Sequence, residues 1–154
     1  MSNTYSQLFV QIIFAVNHRQ LFIKEDFREV VEKYIFRIIE NKSCVPLSIY
    51  CNPDHIHILI STPPNVLVSD LVRDIKSNSS KFINQQHFFS MPFAWQRGFG
   101  AFSYSKSQID AVTRYIRNQP LHHKKHTFKE EYLAILKQWG ISYDERYVFN
   151  WHET

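Results

Sequence analysis

Three glycines, at positions 98, 100 and 140, are too few and too scattered for a phosphate-cradling loop or a dinucleotide fingerprint, so no bound nucleotide cofactor is expected of this 154-residue chain. Cysteine is nearly as scarce. Cys44 and Cys51 form no CxxC pair and cannot make a disulfide framework, which fits a reducing cytoplasm and excludes a thiol metal site. The longest apolar stretch, residues 8–16, is broken by Gln11 and is too short to cross a bilayer, so no membrane is expected. The opening Met1-Ser2-Asn3-Thr4-Tyr5 has neither the basic start nor the small-residue cleavage site of a secretory signal. What is present is 44% hydrophobic content in about one domain's length of chain, and a net charge of +4 that favours an acidic partner.

Hydrophobic periodicity places the elements. Residues 8–16, rich in β-branched and aromatic side chains, read as a buried strand. Phe27, Val30, Val31, Tyr34, Ile35, Ile38 and Ile39 recur at three and four residues and predict a helix over 24–41. Strands over 46–51 and 55–61 flank Asn52-Pro53-Asp54, a turn signal that makes them an antiparallel hairpin. A second helix is predicted over 68–85 and a short strand over 101–104. Ser105 to Gln108 reads as a capping box opening a helix that Pro120 stops, and Thr127 to Glu130 as another opening a last helix that runs to Gly140. The order β-α-β-β-α-β plus C-terminal helices predicts one α+β domain over 1–154: a ferredoxin-like, RRM-like antiparallel sheet with helices on one face.

The chemistry-bearing residues fall into two runs. In Asp54-His55-Ile56-His57-Ile58-Leu59-Ile60, alternation puts both histidines on one strand face, about 6.6 Å apart, and sends the isoleucines to the other. Two imidazoles so placed can share a divalent ion, and the duller alternative is a pair of hydrogen-bonded core histidines under a helix. In Tyr115-Ile116-Arg117-Asn118-Gln119, Tyr115 and Gln119 are expected at i and i+4 on one helix, roughly 6 Å apart, a nucleophile and an oxygen ligand. Together the runs suggest metal-assisted cleavage of a phosphodiester by a tyrosine. A substrate must reach the imidazole pair, so the pair is expected to be open to solvent. Arg73, Lys76, Lys81, Arg97, Arg114, Arg117, Lys124 and Lys125 are candidates to track a phosphate backbone, and Trp95 to stack a base. The cluster His122-His123-Lys124-Lys125-His126 reads as a loop near phosphate, because two lysines beside three histidines repel a cation.

These runs, with Trp95-Gln96-Arg97-Gly98-Phe99-Gly100-Ala101-Phe102-Ser103 and the block from His122 to Glu131, resemble the single-tyrosine HUH transposases of small bacterial insertion sequences, enzymes acting on single-stranded DNA. The resemblance runs over nearly the whole chain. It implies that His55 and His57 bind Mg or Mn, that Gln119 completes the metal site, and that Tyr115 attacks to leave a 5′-phosphotyrosine. It further implies a homodimer whose active sites are shared between subunits, and as substrate the DNA hairpins at transposon ends.

Two imidazoles and one amide form a neutral donor set that holds a hard ion loosely, so DNA phosphate is expected to complete the coordination. Activity is expected to fall below about pH 6.5 as the histidines protonate. Two other readings stand beside this one: a non-catalytic RRM-like nucleic-acid-binding protein, and a metal hydrolase releasing free fragments. The first lacks an aromatic RNP pattern, and the second lacks a third histidine, since Leu59 stands where HxHxH would place it.

Overall fold

The computed structural model of the chain describes residues 3–151. Four antiparallel strands, β1 (Phe9–Ala15), β2 (Val45–Cys51), β3 (His55–Ser61) and β4 (Gly100–Tyr104), form one sheet in the order β2-β3-β1-β4, the ferredoxin-like order expected from the sequence. The β2–β3 hairpin turns at Asn52-Pro53-Asp54, closed by the Asn52 N–H donating to the His55 carbonyl at 2.8 Å. The register pairs Ile13 with His57, Ala15 with His55 and Tyr50 with His57, so the histidines stand on the two inner strands' shared face.

The opposite face, carrying Ile12, Phe14, Ile56, Ile58 and Ile60, packs against α1 (Glu25–Asn41) and α2 (Val68–Gln85). Those helices contribute Val31, Ile35, Ile38 and Ile39, and Leu71, Val72, Ile75 and Ile83, the stripes their three-and-four spacing requires. The histidine face is covered too. Helix α3 (Ile109–Arg117) lays Val112 and Ile116 on Leu59, with Tyr115 against the edge of that cluster. Then follow α4 (Gln119–His122) and α5 (Phe128–Gln138), which brings Phe128 into a stack on the His55 ring with centroids 3.8 Å apart.

One expected element is corrected. Pro120 does not stop the helix that carries Tyr115; that helix ends at Arg117, Asn118 turns the chain, and Pro120 sits in the first turn of α4. A first turn needs no intrahelical donor from its leading residues, so proline is tolerated there. Tyr115 and Gln119 are therefore on successive helices rather than one turn apart on the same helix.

The block 95–103 is built for packing. Trp95 is 8% exposed and donates its indole N–H to Ser79 Oγ at 2.9 Å, edge-on to Phe14 and Phe93. Gln96 clamps the tail: its amide nitrogen donates to the Val16 and Asn150 carbonyls, and its oxygen accepts from the Asn150 N–H. Gly100 is required by close approach, since a Cβ there would lie 2.5 Å from the Tyr132 hydroxyl. Among the described residues no helix is long and apolar enough to cross a membrane.

Candidate metal and nucleophile site

The hairpin turn and strand alternation deliver His55 and His57 side by side, ring centroids 5.1 Å apart. A third residue that sequence reasoning missed meets them. Glu131, in the first turn of α5, lies with Oε1 3.1 Å from each Nε2 of the pair. The capping box at Thr127, whose Oγ1 accepts from the Glu130 N–H, fixes that turn over the sheet. The carboxylate's other oxygen accepts from the Tyr115 hydroxyl and from the Gln119 amide nitrogen, the latter at 2.8 Å. Tyr115 thus reaches the histidines of its own chain, its ring 5.8 Å from that of His57.

Gln119 joins the cluster but turns its oxygen elsewhere: Oε1 accepts from Asn52 Nδ2 at 3.0 Å and lies 2.9 Å from His123 Nε2. His123 Nε2 is also 3.2 Å from Glu131 Oε1. His122 places Nε2 3.5 Å from Glu131 Oε2, a buried nitrogen with no hydrogen-bond partner among the described residues. Among the described residues, two sets could hold a metal ion by donor type and proximity: His55, His57 and Glu131, and His122, His123 and Glu131. The segment 122–126 is thereby divided. His122 and His123 face the cluster, whereas Lys124 and Lys125 are exposed, so the expected repulsion of a cation by the lysines is corrected by their direction.

Outer hydrogen bonds orient the rings. Asp54 Oδ1 lies 2.7 Å from His55 Nδ1, and Gln11 Oε1 2.7 Å from His57 Nδ1. Gln11 is held the right way round by donating its own N–H to the Tyr104 hydroxyl. Burial disfavours charge on His55, but the hydrogen bonds to Asp54 and Glu131 outweigh it and raise the imidazole to about 9. Burial dominates at His57 and lowers it. Glu131 is buried as well, yet the imidazoles of His57, His123 and His55 hold its carboxyl far below the usual range. Burial and the Glu131 charge push the Tyr115 phenol well up.

The expectation of an open pair is corrected: His55 and His57 are both 0% exposed, covered by α4 and α5. Tyr115, His122 and His123, half-buried, form a rim. Two further assignments change. Trp95 is a core side chain and offers no stacking face. Lys76 donates to the Gln96 and Gly98 carbonyls at 2.8 and 2.6 Å and lies over the Phe14 ring, so its ammonium is committed to the fold. Burial lowers it to about 8. Arg73, exposed and paired with Asp70 at 3.2 Å, and Lys81, Arg97, Arg114, Arg117, Lys124 and Lys125 are all exposed.

Comparison with known proteins gives a consistent answer. A family model described as "Transposase IS200 like" matches residues 4–119. The transposase for insertion sequence element IS200 of Salmonella typhimurium is 28% identical over 114 residues, covering 70% of this chain and 74% of that protein, and the Salmonella typhi counterpart matches equally. In fold, a transposase-assigned protein of Deinococcus radiodurans R1 superposes with a TM-score of 0.62 at 16% identity, over 77% of this chain and 95% of that one. A REP-associated tyrosine transposase bound to a REP hairpin gives 0.60 at 14% identity, over 80% and 73%.

Proposed function

We propose, from the premise that this chain belongs to the IS200-like transposase family, that it cuts and rejoins single-stranded DNA at hairpin-marked transposon ends with Tyr115 as nucleophile. The observation that carries this reading is the meeting of Tyr115, Gln119 and the His55–His57 pair around one carboxylate, from four separate elements. The donors fit a divalent ion. With Nδ1–H of His57 given to Gln11, its Nε2 lone pair faces a carboxylate oxygen, a contact between two acceptors that a cation or a proton must bridge. His55 and His57 would hold Mg or Mn, with an oxygen from Gln119 once its amide, which now turns Nε2 toward Glu131, reverses, and the bound ion would supply a Lewis acid against the phosphate's charge.

Attack of the Tyr115 oxygen on phosphorus forms an O–P bond and breaks the P–O3′ bond; the phenol gives up its proton and the departing 3′-oxygen gains one, leaving a 5′-phosphotyrosine and a free 3′-hydroxyl. The ester's energy is retained, so a second 3′-hydroxyl can reverse the step without a nucleotide. As folded, the phenol is protonated, bonded to Glu131 and partly covered, so the arrangement is a resting state. The strand enters over the rim of Tyr115, His122 and His123, and the Glu131 contact must open before attack. Arg73, Lys81, Arg97, Arg114, Arg117, Lys124 and Lys125 track phosphates. We take residues 1–154 as one catalytic domain, acting in the cytoplasm as a homodimer with shared sites; the hairpin in the REP-associated relative supports the substrate class.

One observation favours a second reading, a DNA-binding domain that no longer cuts: the imidazole pair is buried with every ring nitrogen partnered. Against it, a purely structural core gains nothing from imidazoles crowded on a carboxylate where apolar side chains of like volume serve as well. Incubation with a single-stranded hairpin oligonucleotide and Mn2+, followed by a denaturing gel, decides. A protein-linked strand is expected; intact strands would establish the binding domain, and free fragments a hydrolase.

A further inference from the structure

We infer that a cavity walled by β4 and residues 141–149 takes one unpaired base of the DNA strand, stacked among tyrosine and phenylalanine rings with its phosphate at Arg97. This goes beyond the cleavage reading and rests only on its single-stranded substrate. The cavity measures about 270 Å3 and is lined in part by Arg97, Phe99, Phe102, Tyr132, Tyr143 and Tyr147. That is below the roughly 300–1,000 Å3 of sites for drug-sized molecules and suits a single ring system. Its outer wall is anchored, because the Asn150 backbone is held by Gln96 through two hydrogen bonds, 2.9 and 2.7 Å. Tyr143 and Tyr147 are 45% and 80% exposed, large aromatic faces left open to solvent beside the exposed Arg97.

Polar groups able to read the base are present as well. Tyr132 is 5% exposed, its ring packed on Phe102, Phe128 and Phe149. Among the described residues its hydroxyl takes no hydrogen bond; burial alone pushes the phenol up to about 12, so a donor and an acceptor remain unused at the cavity wall. The Gly100 backbone lies beside that hydroxyl, close enough that a Cβ would come within 2.5 Å of it. β4 is an edge strand with no strand on its outer side, so its outward N–H and C=O groups are open too. Stacking faces, unused polar groups and a cation at the mouth are what an unpaired base and its phosphate require. In the sheet register Phe102 pairs with Gln11 and Gly100 with Ile13, which puts the cavity on the histidine face. Tyr132 directly follows Glu131 on α5, so a base held there belongs to the strand close to the cut.

The test compares binding of the full chain, in EDTA, to short homopolymers of deoxythymidine, deoxycytidine and deoxyadenosine and to an abasic strand of equal length, by fluorescence anisotropy at constant salt. Equal phosphate counts cancel the charge contribution, so the difference reports the bases. Wild type should bind at least one homopolymer about tenfold or more tighter than the abasic strand. Tyr143→Ala combined with Tyr147→Ala should lose most of that advantage while binding the abasic strand as wild type does. Tyr132→Phe, which keeps the ring and drops the hydroxyl, should change the order of preference among the bases. Circular dichroism confirms each fold, and the exposed tyrosines provide a variant should Tyr132→Phe fail to fold. A deoxythymidine strand carrying 5-iododeoxyuridine, photo-crosslinked and digested, should mark Phe99, Tyr143 or Tyr147. If the abasic strand binds wild type as tightly as every homopolymer, if the tyrosine variants keep the wild-type pattern, or if crosslinks fall only outside the cavity, the inference fails, and a Tyr115 adduct would leave the cleavage reading standing. Base-dependent binding at the cavity without any adduct would uphold the inference and overturn the cleavage reading.

Discussion

At the scale of single residues, His55 has a carboxylate on each ring nitrogen, so in ion-free protein a proton occupies the place of a cation's charge. Its folded pKa of about 9 lies above the unfolded 6.5. The stabilisation is therefore complete below about pH 6.5 and is lost as pH rises to about 9, a loss of up to roughly 3 kcal/mol. Thermal melts in EDTA should show Tm falling across that window. In saturating Mn2+ the fall should vanish, because the ion binds neutral imidazole. The same competition moves the pH below which activity declines upward from the 6.5 expected of free histidine. Among the basic residues, Lys124→Ala combined with Lys125→Ala should weaken hairpin binding and lower the salt slope by about 2, with Tm unchanged. Lys76→Ala should do the reverse, lowering Tm with little change in the slope, because its ammonium bonds two carbonyls. His55 and His57 were legible because strand alternation fixes a face. Glu131 was not, because nothing local distinguishes it from the surface residues of a helix start, and His123 was set aside because two lysines follow it; only the packing of the C-terminal helices over the sheet turns both toward the pair.

At the scale of elements, α5 carries the carboxylate and is oriented by its capping box and by Gly100. Thr127→Ala should cost about 1 kcal/mol by removing the cap. Gly100→Ala should cost about 1–3 kcal/mol, because its methyl meets the Tyr132 hydroxyl and the Phe102 ring, and it should displace α5 from β4. Denaturant unfolding checks both. Strand and helix spans were readable from apolar spacing, with β3 and α2 falling where the pattern put them. The break at Asn118 was not, since a proline reads equally as the end of one helix or the first turn of the next. Trp95 was misread for a related reason: an aromatic beside arginine and glycine looks like a stacking platform until Ser79 and Phe14 are seen around it.

At the scale of the whole molecule, the sheet order followed from the sequence because short connections and one hairpin leave few antiparallel topologies. The covering of the histidine face did not, because it depends on how three C-terminal helices pack together. That cover places Tyr115 against its own chain's histidines, while a shared-site homodimer requires it to reach the partner's. Mixing His57→Ala chains with Tyr115→Phe chains, each inactive alone, should restore cleavage; continued inactivity would confine the nucleophile to its own subunit. The central claim, that Tyr115 becomes covalently joined to DNA, is tested most directly by digesting the protein–DNA adduct and locating the modified residue by mass spectrometry. The account predicts a 5′-phosphodeoxynucleotide on Tyr115, and no adduct from Tyr115→Phe although that variant still binds the hairpin. An adduct on any other residue, or one undiminished in Tyr115→Phe, would contradict it.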